Sequence, residues 1–201
     1  MGSSGGSGKD TVADLIRQMT GGETFDDYQV TSLGRGIYDI CDNVVDNGNY
    51  GRHELQALGE SMREIFGELV WIRKTEKTIR EIENQGQNAI IADIRKLLEY
   101  SFFVNEKGFL PLYVKTDSDI ARERLRSRDG SFSENDLQNP IEKQLCFIED
   151  LSYEIVDETG LMKVIDDNNG SFKDLYIIDN NGSLERTKEQ VEGWLEYNGL
   201  V

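Results

Sequence analysis

The chain opens with Ser3-Ser4-Gly5-Gly6-Ser7-Gly8-Lys9-Asp10-Thr11 and runs straight into Val12-Ala13-Asp14-Leu15-Ile16-Arg17-Gln18-Met19, whose apolar positions recur at helical spacing. This arrangement constrains the fold more than any other feature. Small residues let successive backbone N–H groups turn inward, and a helix N-terminus adds the positive end of its dipole. Together they form a cradle for phosphate oxygens. Ser4, Gly5, Gly6, Ser7, Gly8, Lys9, Asp10 and Thr11 are the candidate phosphate-binding residues. Lys9 is placed to reach the β- and γ-phosphates of a nucleotide, and Thr11 to serve the α-phosphate side. ATP-dependent phosphoryl transfer is the leading expectation from this segment alone.

Two positions depart from the usual G-x-x-x-x-G-K-[ST] pattern. Ser3 stands at the first glycine position, and Asp10 stands where a Ser or Thr would meet magnesium. A loop of this kind also hangs between a buried strand and a helix, yet only Met1 and Gly2 precede it. The expectation is an open slot in the sheet where that strand would lie, and a natural protein that begins several apolar residues earlier.

At 201 residues the chain is long enough for one domain with a substantial core. The composition fits a soluble globular protein, 37% hydrophobic and 30% charged, with no apolar run of membrane-spanning length and no signal peptide. The two cysteines, Cys41 and Cys146, lack metal-ligand spacing and read as buried thiols of a cytoplasmic protein. The lone His53 excludes a histidine-rich metal site. A net charge of -16 argues against a nucleic-acid polymer as partner, because that needs a basic stripe. It also means that an acidic protein binding polyanionic nucleotides must gather its few cations at the site.

Ala89-Ile90-Ile91-Ala92-Asp93, Leu110 to Lys115, Leu175 to Asp179 and the weaker Tyr28 to Thr31 read as buried parallel strands. Helical patterns lie between them, over 36–45, 52–66, 75–84, 97–107, 118–128, 140–150 and 183–197. Leu55, Leu58, Met62, Ile65 and Phe66 mark the apolar face of the second of these. Tyr153 to Val156 against Leu161 to Val164 reads as a hairpin turning at Glu158-Thr159-Gly160. Strands alternating with helices imply an α/β fold with a central parallel sheet.

Three groups of residues carry candidate chemistry. Asp93 closes a central strand, where it can hold magnesium or accept a proton. Asp10 and Asp93 are the candidate metal ligands. Arg122, Arg124, Arg126 and Arg128 divide between two helix faces and precede the breaker-rich Asp129-Gly130-Ser131-Phe132-Ser133, as a mobile lid requires. Arg52, Gln56 and Arg63 share one helical segment, where Gln56 could meet a base or sugar and an arginine a monophosphate.

The chain resembles the P-loop nucleoside monophosphate kinase superfamily. Ser7-Gly8-Lys9-Asp10-Thr11, Leu55-Gln56-Ala57-Leu58-Gly59, Arg63-Glu64-Ile65-Phe66-Gly67 with Trp71, and Asp93-Ile94-Arg95 with Glu99 resemble motifs of phage and bacterial deoxynucleoside monophosphate kinases. That resemblance implies substrate roles for Arg63 and Arg95, and less firmly for Arg35 and Arg52. The C-terminal part is similar to dephospho-CoA kinases instead, through Arg124-Leu125-Arg126-Ser127-Arg128-Asp129-Gly130, Ile141-Glu142-Lys143-Gln144 and Ile178-Asp179-Asn180-Asn181-Gly182-Ser183. It implies that Asn181 and Gly182 lie near the adenine of ATP. That family's acidic substrate motif is not evident here. Thr31-Ser32-Leu33-Gly34-Arg35 offers a cation in its place.

The expected fold is a single three-layer P-loop kinase domain over 1–201, with a helical monophosphate-binding region at 34–85 and a lid at 128–140. The expected reaction moves the γ-phosphoryl of ATP, with Mg2+, onto a (deoxy)nucleoside monophosphate. Lys9, Asp93, Arg124 and Arg128 form the catalytic set. A dephospho-CoA kinase and a nucleotide-binding protein without turnover remain alternatives. No membrane partner is expected, and a homodimer is left open.

Overall fold

The computed structural model describes residues 1–2, 5–21, 27–45, 48, 50–129, 144–166, 170, 172 and 174–201. Helix α1 (Lys9–Thr20) buries Val12, Ala13, Leu15 and Ile16, and places Asp10 in its first turn and Arg17 in its last, complementing the helix dipole. Strand β1 (Tyr28–Thr31) leads to three helices, α2 (Arg35–Val44), α3 (Arg52–Phe66) and α4 (Val70–Asn84). Strand β2 (Asn88–Ile91) follows, then the short helix α5 (Leu97–Tyr100) continued by a π-helical turn, Ser101–Glu106. Next come β3 (Leu112–Lys115), α6 (Ser118–Asp129), a 3-10 turn (Cys146–Asp150), β4 (Ser152–Ile155), β5 (Met162–Asp166), β6 (Tyr176–Asp179) and α7 (Leu184–Tyr197).

The strands form two sheets rather than one parallel sheet. β1 pairs with β2 in parallel, and a second sheet runs in the order β3-β6-β5-β4. β3 and β6 are parallel, while β5 is antiparallel to both β6 and β4. The expected hairpin is the cause of this mixture. Asp157 Oδ1 accepts hydrogen bonds from Thr159 N, Thr159 Oγ1 and Leu161 N, and Gly160 takes φ 86°, so the chain reverses directly.

Side chains alternate between the two faces of these strands, as a two-residue period requires. Tyr113 and Ile177 join one apolar cluster with Trp71, Ile72, Tyr100 and Phe103. Leu112, Val114, Tyr176 and Ile178 join another with Val12, Ile16, Trp194 and Leu195. Burying each large apolar side chain contributes roughly 1.5–3 kcal/mol. The apolar face expected on α3 is only partly used. Ile65 is 70% exposed and Phe66 59% exposed. The helix meets α4 through the buried Gly59, whose carbonyl accepts the Trp71 indole N–H at 3.1 Å, and its last turn extends beyond that contact. Cys41 is buried and Cys146 half-buried, and neither forms a disulfide.

The first two residues form a stub of parallel ladder beside β3. The Met1 amine donates to Leu112 O at 2.9 Å, Val114 N donates to Met1 O at 2.9 Å, and Gly2 bridges Val114 in parallel. Between this edge and β2 lies an apolar cavity of about 340 Å³.

Burial, reinforced by the charge of Lys9 and opposed by Asp93, lowers the Met1 amine from 8.0 to about 5. Between those values the unfolded chain holds a proton that the folded chain rejects. Stability therefore rises with pH across this window and is lost as pH falls from 8.0 to about 5. The contribution is roughly 4 kcal/mol in full. Acetylating the Met1 nitrogen removes the titration and keeps the N–H donor. Comparing melting temperatures of the free and acetylated chains should show a gap that widens as pH drops from 8 to 5. A constant gap would refute the assignment.

Candidate functional site

The loop before α1 is held by its own backbone. Gly6 and Gly8 take φ 82° and 90°, left-handed conformations that a side chain would strain. Neither position has room for one. A Cβ on Gly8 would lie 2.2 Å from Asn180 Nδ2, and one on Gly6 would lie 2.4 Å from the carbonyl oxygen of Ala121. Gly8 brings no side chain to cap α1, and a helix start without a side-chain cap is a favourable place for an anion.

Ser7, fully buried, anchors the loop to the rest of the molecule. Its carbonyl accepts from Thr116 Oγ1 at 2.9 Å and from Asn180 Nδ2 at 2.8 Å. Thr116 follows β3, and Asn180 follows β6, so two neighbouring strand ends grip one peptide group. Asn180 is in turn fixed by Thr187 Oγ1, which donates to its Oδ1 at 2.8 Å. Its carbonyl accepts from Arg124 Nη2 at 3.0 Å. Lys9 Nζ lies 3.2 Å from Ser7 Oγ. Asp10 and Thr11 are exposed in the first turn of α1.

The turn residues chosen from the sequence, Asn181 and Gly182, sit one step beyond this clasp. Asn181 Oδ1 accepts from Asp117 N at 2.7 Å and its Nδ2 donates to Asp117 Oδ1 at 3.2 Å, so it joins the two loops without touching Ser7. Gly182 is exposed. Asn180, Thr116 and Thr187 were missed. The signal available was the polar residue directly after each apolar strand, Thr116 after Lys115 and Asn180 after Asp179.

Asp93 is clasped by backbone amides at the start of α2. Leu33 N donates to Oδ1 at 2.6 Å and Gly34 N to Oδ2 at 2.9 Å. It therefore has a structural duty beside any catalytic one. The carboxylate is only half-buried and lies in the electrostatic neighbourhood of the Met1 amine, which also feels the charge of Lys9. Each oxygen keeps a lone pair beyond its amide bond. That suits magnesium, which keeps water and phosphate ligands and asks little of the protein. Among the described residues, no cluster of three or more His, Cys, Asp or Glu could hold a metal by itself.

The arginines separate into distinct surroundings. Arg124 lies at the loop. Arg122 pairs with Asp119 at 3.0 Å on its own helix. Arg126 and Arg128 are exposed on α6. Arg63 is 11% exposed, held by Glu60 at 2.6 Å and 4.0 Å from the buried Glu99. Glu99 accepts from the backbone N–H of Arg95 and Lys96 at 2.8 and 3.0 Å, and burial raises its carboxyl above the ordinary range. Arg63, Arg95 and Glu99 thus share one network beside Asp93. Arg35 is 72% exposed and pairs with Asp39 at 3.4 Å, outside that network. Gln56 is half-buried on α3, and Arg52 opens that helix with its side chain outside the description. Ser4 and the lid residues from 130 to 140 also lie outside the described residues.

The chain is similar to a dephospho-CoA kinase of Aquifex aeolicus (strain VF5), 26% identical over 203 residues that cover 93% of this chain and 90% of that kinase. No protein-family model matches. The similarity agrees with the resemblance of the C-terminal motifs and supports a P-loop kinase-like relative. Among the described residues, no helix is long and apolar enough to cross a membrane.

Asn180 is expected to matter more than Asn181. Asn180→Ala deletes two buried hydrogen bonds, at a cost of about 2 kcal/mol, and should lower the melting temperature by about 4–8 °C. It should also weaken ATP binding by loosening Ser7, whereas Asn181→Ala should change both less. Calorimetric melting and ATP titration of the two variants test this ranking. Equal effects would remove Asn180 from its central place.

Proposed function

We propose that this chain is an ATP-dependent kinase of the P-loop type acting on a small-molecule acceptor, with dephospho-CoA the leading acceptor. The observation that carries the reading is the similarity to a dephospho-CoA kinase along nearly the whole chain. The anchored glycine loop with Lys9 beside it gives that similarity a physical basis. In this reading residues 1–201 work as one three-layer domain. The apolar clusters on the two faces of the strands support that layering. The helices from 34 to 85 form the acceptor side, and the segment from 128 to 140 acts as the lid.

In the reaction, the bond between the γ-phosphorus and the β–γ bridging oxygen breaks as an acceptor oxygen bonds to that phosphorus, ADP leaves, and the proton of an acceptor hydroxyl passes to Asp93 or to solvent. The chain's own work is positioning and charge stabilisation. The loop N–H groups and Lys9 hold the triphosphate, and Thr11 serves its α-phosphate side. Asp93, fixed by two amides, orients the acceptor edge, and with Asp10 it provides the carboxylates nearest the phosphates. Magnesium, when bound with ATP, neutralises charge on the β- and γ-phosphates. Arg124 and Arg128 stabilise the charge that spreads over the transferring group, and Asn181 with Gly182 borders the adenine.

A (deoxy)nucleoside monophosphate acceptor is the second reading. It is favoured by Gln56 and Arg63 on one helix, with Arg95 beside them, and by the cation Arg35 near the end of β1. The ion pair of Arg63 with Glu60 weakens it, because a guanidinium already held by a carboxylate grips a phosphate less readily.

A coupled ADP-release assay with ATP across dephospho-CoA and a panel of monophosphates separates the readings. Dephospho-CoA is expected to turn over fastest. Faster turnover with any monophosphate would reverse the order, and ATP binding without turnover on any acceptor would assign a non-catalytic role. Lys9→Ala should leave the fold intact and cost on the order of a hundredfold or more in kcat. Among the arginines, Arg124→Ala and Arg128→Ala should lower kcat strongly, and Arg122→Ala and Arg126→Ala much less. Equal small losses from all four would place α6 outside the reaction.

A further inference from the structure

Among the described residues, Glu99 is the one buried carboxyl, 5% exposed on the four-residue helix α5. Its Oε2 accepts the backbone N–H groups of Arg95 at 2.8 Å and of Lys96 at 3.0 Å. Its Oε1 faces Arg63 Nη2 at 4.0 Å, while Arg63 Nη1 is held by Glu60 at 2.6 Å. Arg63 therefore braces Glu99 against α3. Lys96 Nζ adds a second tie at 3.3 Å, to Glu68 between α3 and α4. Burying a carboxylate is unfavourable unless its oxygens are bonded. Here the bonds converge on two successive amides, so the group serves to fix backbone.

The backbone so fixed is the run from Asp93 to Lys96, and its other end is fixed as well. Asp93 takes the amides of Leu33 and Gly34 at 2.6 and 2.9 Å, and Ile94 between the two clasps is 5% exposed, in the core. Arg95 is half-buried and two residues from Asp93, so its side chain leaves this run from a fixed Cα. A guanidinium donates through a planar fork. The point from which it starts decides whether it meets a phosphate with two bonds or with one.

We propose that Glu99 is a positioning residue for the acceptor: it fixes the Arg95 backbone so that the Arg95 guanidinium meets a phosphate group of the acceptor, and Arg63 is the brace that holds Glu99 in place. This role rests on the kinase reading above. It applies to either acceptor, since dephospho-CoA carries a diphosphate and a nucleoside monophosphate a single phosphate.

The test is a mutant cycle on the full chain. KM for ATP, KM for the acceptor and kcat are measured on whichever acceptor of the panel the unaltered chain phosphorylates fastest. Glu99→Ala should raise the acceptor KM about tenfold or more and leave the ATP KM within about twofold. Glu99→Gln should stay within about threefold of the unaltered chain, because the carboxamide oxygen can accept from both amides. In an Arg95→Ala background, Glu99→Ala should add less than about twofold, since the group it positions is gone. Should Glu99→Ala fail to fold, Glu99→Asp, which draws the carboxylate back by one methylene, runs through the same cycle with the same expected pattern. Losses that multiply in the double variant, or equal rises in both KM values, would reduce Glu99 to a packing residue and overturn the proposal. A loss in Glu99→Gln as large as in Glu99→Ala would move the effect from the amides to the charge and overturn it too. No turnover by the unaltered chain on any acceptor would instead overturn the kinase reading, and the proposal with it.

Discussion

The carbonyl of Ser7 is the point on which the rest of the arrangement depends. Both hydrogen bonds it accepts come from side chains immediately beyond strand ends, Thr116 after β3 and Asn180 after β6. A glycine-rich loop has high conformational freedom and loses it on folding. Two buried bonds to a single oxygen offset part of that cost. They also fix the direction of the next peptides, so that Gly8 can turn left-handed into α1. The strand ends, the loop and the helix start are therefore one construction, and the sequence positions that build it lie more than one hundred residues apart.

The sequence made the elements legible where local signals and tertiary context agree. The strands at 28–31, 112–115 and 176–179 were readable from runs that end in polar residues, whereas β2 stops at Ile91, two residues before the Asp93 expected to close it. The hairpin was readable because Glu158-Thr159-Gly160 is turn chemistry between two alternating runs. Helix α4 starts five residues earlier than its polar-rich pattern indicated, at Val70, because Trp71 and Ile72 are drawn into the core by contacts that no local pattern shows. Ile65 and Phe66 fit the helical period but lie beyond the contact that uses it. At the site, the glycine loop and Lys9 announced themselves through composition. Asn180 differs from Asn181 in sequence only by standing directly after β6, and it is the long-range bond to Ser7 that gives it the central place.

Charge tells a similar story. The chain carries a net charge of -16, yet several of its arginines are held by near neighbours, Arg17 with Asp14, Arg35 with Asp39, Arg80 with Glu76 and Arg122 with Asp119. Exposed pairs of this kind contribute little to stability, ~0–1 kcal/mol each. Their larger effect is to withdraw positive charge from circulation, so that a polyanion meets few competing cations on the surface. Arg124 differs because it is half-buried and bonded to a carbonyl, and among the described residues no carboxylate pairs with it beside the loop.

That bond has a mechanical meaning. Arg124 belongs to α6, and the carbonyl it holds belongs to the same residue whose amide holds Ser7. Gly6 meanwhile presses against the backbone of Ala121 on the same helix. Loop and helix thus share a hinge of two contacts, and neither can shift without displacing the other. A ligand that shifts the loop would act on α6 through these contacts, and by reciprocity a binding event that displaces α6 would change affinity at the loop by the same factor.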